Sequence, residues 1–187
     1  MLRWLARCIF AISGWKTVGE VPDLRRAVFI AAPHTSNWDG FWLLVYKSAL
    51  DVEVRFLAKH TLFWWPLGPL LRWFGALPID RSDATLVVPQ LVCAFAEQEH
   101  LFLALAPEGT RQWKPYWKTG FYRIARESGV PIVLAFIDYG KKELGIGPTL
   151  PAGHNMEQDL TTIREFYAPF KGRRPELQGP IEFPAEE

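Results

Sequence analysis

Three short stretches of this 187-residue chain combine residue types that a reaction could use. The first is His34-Thr-Ser-Asn-Trp-Asp39. The run Ala27–Ala32 before it reads as a buried strand stopped by Pro33, so His34 stands at a loop mouth rather than in the core. Positions five apart on an ideal helix are rotated by about 140°, so His34 and Asp39 cannot share a face of one continuous helix. They meet if His34 stays in the loop, Thr35 or Ser36 caps a helix, and Asp39 falls in its first turn. The carboxylate then accepts from one imidazole nitrogen, fixes the tautomer, and leaves the other nitrogen as a general base. The second stretch is Pro107-Glu108-Gly109-Thr110-Arg111, in which Pro closes a strand and Gly permits a close backbone approach. Thr110 and Arg111 can donate to an anion there. The third is Gly75-Ala-Leu-Pro-Ile-Asp80-Arg81, where a guanidinium at a strand end matches phosphate or carboxylate oxygens. Taken singly, each also reads as a surface pair or an ordinary turn.

Short apolar runs alternate with helical patterns along the chain. Strands are expected at Ala27–Ala32, Val54–Ala58, Ala76–Ile79, Leu101–Ala106 and Pro131–Ile137, with a short extra one at Leu144–Ile146. Helices are expected at Asn37–Leu50, with Phe41, Leu44, Val45 and Ser48 on one face, and at Ala84–Glu99, capped by Asp83 and kinked or delayed by Pro89. Two more are expected at Thr119–Ser128, closed by Gly129, and at Met156–Tyr167. Continuous apolar strands imply a sheet covered on both faces, so the fold class is α/β: a single-domain, mixed, mostly parallel sheet flanked by helices. In such sheets chemistry gathers where strands end, and the three stretches above stand at such ends. The chain is expected to divide into an N-terminal amphipathic, membrane-associating helix over 1–20, the α/β domain over 21–168 and an extended tail over 169–187 that carries Lys171, Arg173 and Arg174.

Composition removes several classes. With 49% hydrophobic and 22% charged residues the chain is neither disordered nor collagen-like. A net charge of +1 argues against a dedicated nucleic-acid binder. Two cysteines, Cys8 and Cys93, form neither a disulfide framework nor a metal spacing. No window of about 18 uncharged apolar residues exists, so no spanning helix is expected. What stands out is nine Trp, a residue favoured at membrane interfaces. On a helix, Leu2, Leu5, Ile9 and Ile12 share a face beside Arg3 and Arg7, which suits either a helix lying in a membrane interface or one capping the core. The stretch Leu62–Leu77 carries Trp64, Trp65, Trp73, Phe63 and Phe74, and Pro66, Gly68 and Pro69 forbid a single straight helix in it. Part of it is expected to touch lipid, together with Trp113, Tyr116 and Trp117, while Lys114 and Lys118 favour anionic headgroups.

Taken in order, the three stretches resemble the sequence blocks of the 1-acylglycerol-3-phosphate acyltransferase (PlsC-type) family. His34 and Asp39 match its His-x4-Asp block, Gly75 to Arg81 its Gly-x-x-x-Ile-Asp-Arg block, and Pro107 to Arg111 its Phe-Pro-Glu-Gly-Thr-Arg block. The likeness runs from about Phe29 to Tyr139. Ala106 stands in place of the usual Phe, and Val130-Pro-Ile-Val-Leu134 lacks the second proline of a fourth block linked to the acyl pocket. Lys59 opens a Lys-x-x-Leu stretch whose usual acidic residue is Thr61 here.

The resemblance implies a glycerol-3-phosphate acyltransferase-like fold and transfer of a fatty acyl group from a thioester to a lysoglycerolipid hydroxyl. The leading acceptor is 1-acylglycerol-3-phosphate, giving phosphatidic acid. The expected roles are His34 as base, Asp39 as its orienting acid, and Arg81, Arg111, Glu108, Gly109, Thr110 and Lys59 as substrate-binding residues. Glu108 would touch the glycerol part or brace Arg81. An amide near Thr110 or His34 would serve the tetrahedral oxyanion. The acyl donor would be acyl-CoA or acyl carrier protein, with no metal or other cofactor. The protein would sit on a membrane surface, at its cytoplasmic face, with no nucleic-acid partner. Rival readings are the same chemistry on a lyso-ornithine lipid or a glycolipid, a thioesterase or lipid hydrolase, and a non-catalytic lipid-binding module. The hydrolase lacks a Gly-x-Ser-x-Gly elbow in this sequence.

Overall fold

The structure is a computed structural model and describes residues 2–79, 86–151 and 155–183. Among these residues seven strands form one sheet: β1 (Lys16–Val18), β2 (Arg26–Ala32), β3 (Val54–Lys59), β4 (Ala76–Ile79), β5 (Leu101–Leu105), β6 (Ile132–Asp138) and β7 (Glu143–Leu150). Their order across the sheet is β1-β7-β6-β2-β5-β3-β4. From β6 to β4 every neighbour is parallel, whereas β7 runs antiparallel to β6 and β1 parallel to β7. The C-terminal ends of β2 to β6 therefore lie along one edge. The mixed, mostly parallel α/β sheet expected from the apolar runs is the one observed.

Among the described residues six α-helices flank it: α1 (Leu2–Ser13), α2 (Asn37–Leu50), α3 (Leu67–Trp73), α4 (Val87–Glu97), α5 (Gly120–Ser128) and α6 (Met156–Tyr167). Alternate residues of β2 feed two cores. Val28 and Ile30 meet α4, α5 and α6 through Leu91, Phe95, Phe121, Ile124 and Ile163. Ala27 and Phe29 meet α1 and α2 through Phe10, Trp42, Val45 and Ala49. Burial on both faces is why these strands carry no polar alternation.

Three expectations need correction. The buried face of α2 is Asp39, Trp42, Val45, Tyr46 and Ala49, and Phe41 is exposed. The reason is aromatic: Trp42 packs between Phe10 and Trp15, with centroids 5.8 and 4.4 Å away, which turns Phe41 outward against Trp38. The expected shared face of α1 is split. Ala6 and Phe10 are buried and Ile9 packs beside them, while Leu5 and Ile12 stay in the open, Ile12 at 85% exposure. The last strand, β7, is longer than expected, because β6 pairs with it through Leu150 despite Gly145, Gly147 and Pro148. In α4, Pro89 sits in the first turn, where its missing N–H costs no helical bond, so the helix begins late rather than kinking. Asp83, its expected cap, lies outside the described residues.

Beyond α6 the chain runs back over the strand-end edge and is held there at many points. Phe170 stacks on Phe136 at 4.2 Å. The Lys171 amide donates to buried Asp138 and its carbonyl accepts from the Tyr139 amide. The Arg174 amide donates to Thr35 Oγ1, 3.1 Å away. A Cβ at Gly172 would come within 2.7 Å of that same Oγ1, so the strap passes the site loop at a distance only glycine permits.

Candidate active site

The loop after β2 and the start of α2 build the centre of the site. Ser36 is the N-cap of α2: its Oγ accepts from the Trp38 amide at 3.3 Å, and its own amide donates to Asp39 Oδ2 at 2.8 Å. This capping box holds Asp39 in the first turn, where the helix N-terminus favours a carboxylate. His34 remains in the loop, and its Nδ1 lies 3.2 Å from the same Oδ2. The arrangement is the one expected from the spacing. With Nδ1 turned to Asp39, Nε2 is the ring nitrogen left outside this contact. His34 keeps a quarter of its side chain accessible, whereas the Asp39 side chain is nearly closed off.

Register brings the next two elements to this pair. Ile30 pairs with Leu105 and Ala32 with Phe136, so the loop that carries His34 leaves the sheet beside the ends of β5 and β6. Glu108 Oε1 accepts the His34 backbone N–H at 2.8 Å. Its other oxygen, Oε2, is buried and has no hydrogen-bond partner among the described residues. Burial pushes the Glu108 carboxyl up to about 7, helped by the Asp39 charge and opposed by the bonds from its own and the His34 amide. Glu108 thus fixes the backbone of His34. That bond also corrects one expectation, since the His34 amide is spent on Glu108 and does not face an oxyanion.

The residues expected to bind an anion are placed differently. Gly109 has φ +66°, and a Cβ there would meet the Lys118 stem at 2.9 Å, so Lys118 lies across the turn. Thr110 Oγ1 accepts from the Gln112 amide at 3.3 Å and keeps its hydrogen to donate. Arg111 and Lys118 are exposed on this loop, and Lys59 is exposed at the end of β3 on the same edge. Arg81 and Asp80 lie outside the described residues.

Two residues at the site were not anticipated. Tyr139, first after β6, donates its phenol to Asp39 Oδ1 at 2.7 Å. Arg173 of the strap lies over the Trp38 ring, 5.2 Å from its centroid, and its charge acts on the Tyr139 phenol. A strand-end rule applied to β6 as well as to β2, β4 and β5 would have pointed to Tyr139. Around the edge stand exposed Trp38, Phe41, Trp64, Trp65, Trp113 and Tyr116. Trp117, expected beside them, is instead buried against Tyr167 and Phe183.

The α/β sheet thus brings an imidazole and a buried carboxylate together at its strand ends. The acyltransferase family model matches residues 17–137, well over half of the chain, and the protein belongs to that family. No curated protein matches the sequence. Among solved structures the fold is similar to that of the 1-acyl-sn-glycerophosphate (LPA) acyltransferase PlsC from Thermotoga maritima, with TM-score 0.59 and 16% sequence identity over 88% of this chain and 75% of that one.

Proposed function

We propose that the protein transfers a fatty acyl group from an acyl thioester to the free hydroxyl of 1-acylglycerol-3-phosphate. The observation that carries the reading is the His34–Asp39 pair, preset by the capping box of α2 with Nε2 left free. His34 Nε2 takes the proton of the acceptor hydroxyl as its oxygen attacks the thioester carbonyl. The tetrahedral intermediate collapses with cleavage of the C–S bond, and the imidazolium returns the proton to the departing thiolate. Asp39 orients the imidazole and stabilises its charged form, as the acid does in hydrolase triads. No acyl-enzyme is required, because the thioester is already activated and the enzyme chiefly brings two substrates together. Arg81 and Arg111, with Lys59, hold the acceptor phosphate, while Gly109 and Thr110 let it approach the turn.

An amphiphilic acceptor reaches such a site from a membrane surface. The aromatics around the strand-end edge and the open stripe of α1, with Trp4 72% exposed beside Arg3 and Arg7, suit interfacial attachment. Among the described residues no helix is long and apolar enough to cross a membrane. The test is an acylation assay on vesicles, with acyl-CoA and acyl carrier protein donors in parallel. Acceptors are 1-acylglycerol-3-phosphate, a lyso-ornithine lipid and a lysoglycolipid. Preferred transfer to 1-acylglycerol-3-phosphate supports the reading, and transfer only to a phosphate-free acceptor overturns it.

A further inference from the structure

We propose that Tyr139 and Arg173 are positioning residues for the His34–Asp39 pair, so that the strap after α6 completes the active site through an Arg173–Tyr139–Asp39–His34 chain. The inference rests on the reading of His34 as the base and concerns how that base is set.

Asp39 has two oxygens to satisfy. Oδ2 takes the Ser36 amide and His34 Nδ1, both supplied by the same short loop. Oδ1 takes the Tyr139 phenol, which arrives from a strand 100 positions away. With Oδ2 alone engaged, the carboxylate could still swing about its Cβ–Cγ bond. The Tyr139 bond fixes the second point and with it the plane presented to the imidazole. Tyr139 is itself fixed, with its ring edge-on to buried Trp15 at 5.0 Å. Burial and the neighbouring Asp39 both push its phenol upward from the ordinary tyrosine value, so it keeps its proton and remains a donor wherever the base operates.

Arg173 supplies the outer end. Its positive charge makes the phenol more acidic and so a stronger donor toward Asp39. Trp38 provides the platform beneath it, at 5.2 Å. The strap is pinned on both sides of this residue, by the Tyr139–Lys171 backbone bond before it and by the Arg174–Thr35 bond after it. Thr35 directly follows His34, so strap, site loop and β6 end form one hydrogen-bonded unit.

Among the described residues, the charged and titratable groups around His34 are Asp39 on α2, Glu108 after β5, Tyr139 after β6 and Arg173 on the strap. Removing the phenol leaves Asp39 a stronger partner for imidazolium, and removing Arg173 acts in the same direction by weakening the phenol's donation to Asp39. Both changes favour protonated His34, so both move the acidic limb of the kcat/KM profile to higher pH.

The experiment compares wild type with Tyr139→Phe, Arg173→Ala, Arg173→Lys and the double variant Tyr139→Phe/Arg173→Ala. It measures kcat, acceptor KM and the pH profile. It also follows the His34 imidazole titration by NMR without substrate, assigned among the four histidines with His34→Ala. Tyr139→Phe is expected to lower kcat about tenfold with acceptor KM nearly unchanged, as misorientation of a base does. Arg173→Ala is expected to lose about threefold, and Arg173→Lys to recover part of that. The double variant is expected to be no worse than Tyr139→Phe alone, because Arg173 acts through the phenol. The proposal is overturned by an unchanged His34 titration and kcat in Tyr139→Phe. It is also overturned by losses that multiply in the double variant, or by a raised acceptor KM with an unmoved acidic limb in Arg173→Ala. If wild type acylates none of the acceptors while the His34 titration still moves in both single variants, the chain stands and the substrate reading falls. Arg173 is exposed, so its variants read the chain even if Tyr139→Phe misfolds.

Discussion

Asp39 and Arg111 stand on the same strand-end edge and are built in opposite ways. Asp39 is 7% exposed, and both of its oxygens are engaged by groups from the site loop and from beyond β6. Arg111 is exposed, and its guanidinium has no hydrogen bond or ion pair among the described residues. The comparison teaches a division of labour. Atoms that move a proton must be set before the substrate arrives, because small errors of position cost large factors in rate. A cation that collects a phosphate can remain solvated on a long stem until the phosphate organises it. On the proposed function, changes to the first group are expected to act on kcat and changes to the second on the acceptor KM.

The largest test of that division is His34→Ala, for which transfer is expected to fall by about 10³-fold or more, within the range for loss of a general base. Circular dichroism should show the fold retained, since His34 belongs to neither core. Next comes Arg111→Ala, expected to raise the acceptor KM by about 10- to 100-fold with kcat largely kept, in line with loss of one charge-assisted contact. An equal fall in kcat would move Arg111 to the first group.

The buried half sharpens through Glu108. Its carboxyl is raised from 4.5 to about 7 in the folded protein, so between those pH values the unfolded chain gives up a proton that the native state keeps. Stability therefore falls as pH rises through this window, by roughly 3 kcal/mol for a shift of this size. Glu108→Gln retains an acceptor for the His34 amide and has no such titration. Urea unfolding at pH 5 and pH 8 should show a clear loss for wild type and a much smaller one for Glu108→Gln. The smallest effect is expected at the exposed turn. Gly109→Ala places a Cβ at positive φ against the Lys118 stem and should cost about 1–2 kcal/mol, seen as a lower urea midpoint.

Legibility in the sequence follows the same line. The His34–Asp39 geometry was readable because it is local: Ser36 caps, Asp39 falls three residues later, and the strand before them ends at Pro33. The central strands were readable as apolar runs because both of their faces are buried. β1 was missed because its three residues are all exposed and show no period. The face of α2 was misjudged because Trp, Phe, Leu and Val surround the helix, and only the packing of Trp42 against Phe10 and Trp15 decides its rotation. Tyr139 joins Asp39 through the register of β6 on β2, and Arg173 through the return of the strap, so neither contact is written in local spacing.

The central claim is that His34, held by Asp39, is the base of acyl transfer. Its most direct test measures transfer to 1-acylglycerol-3-phosphate at saturating donor, with acceptor varied, for wild type, His34→Ala and Arg111→Ala. The account predicts that His34→Ala binds the acceptor as wild type does but turns over at the background rate, while Arg111→Ala turns over normally once the acceptor is raised. A His34→Ala variant that keeps a tenth or more of the wild-type kcat, on the order of a few-fold loss rather than 10²–10⁴, would contradict it.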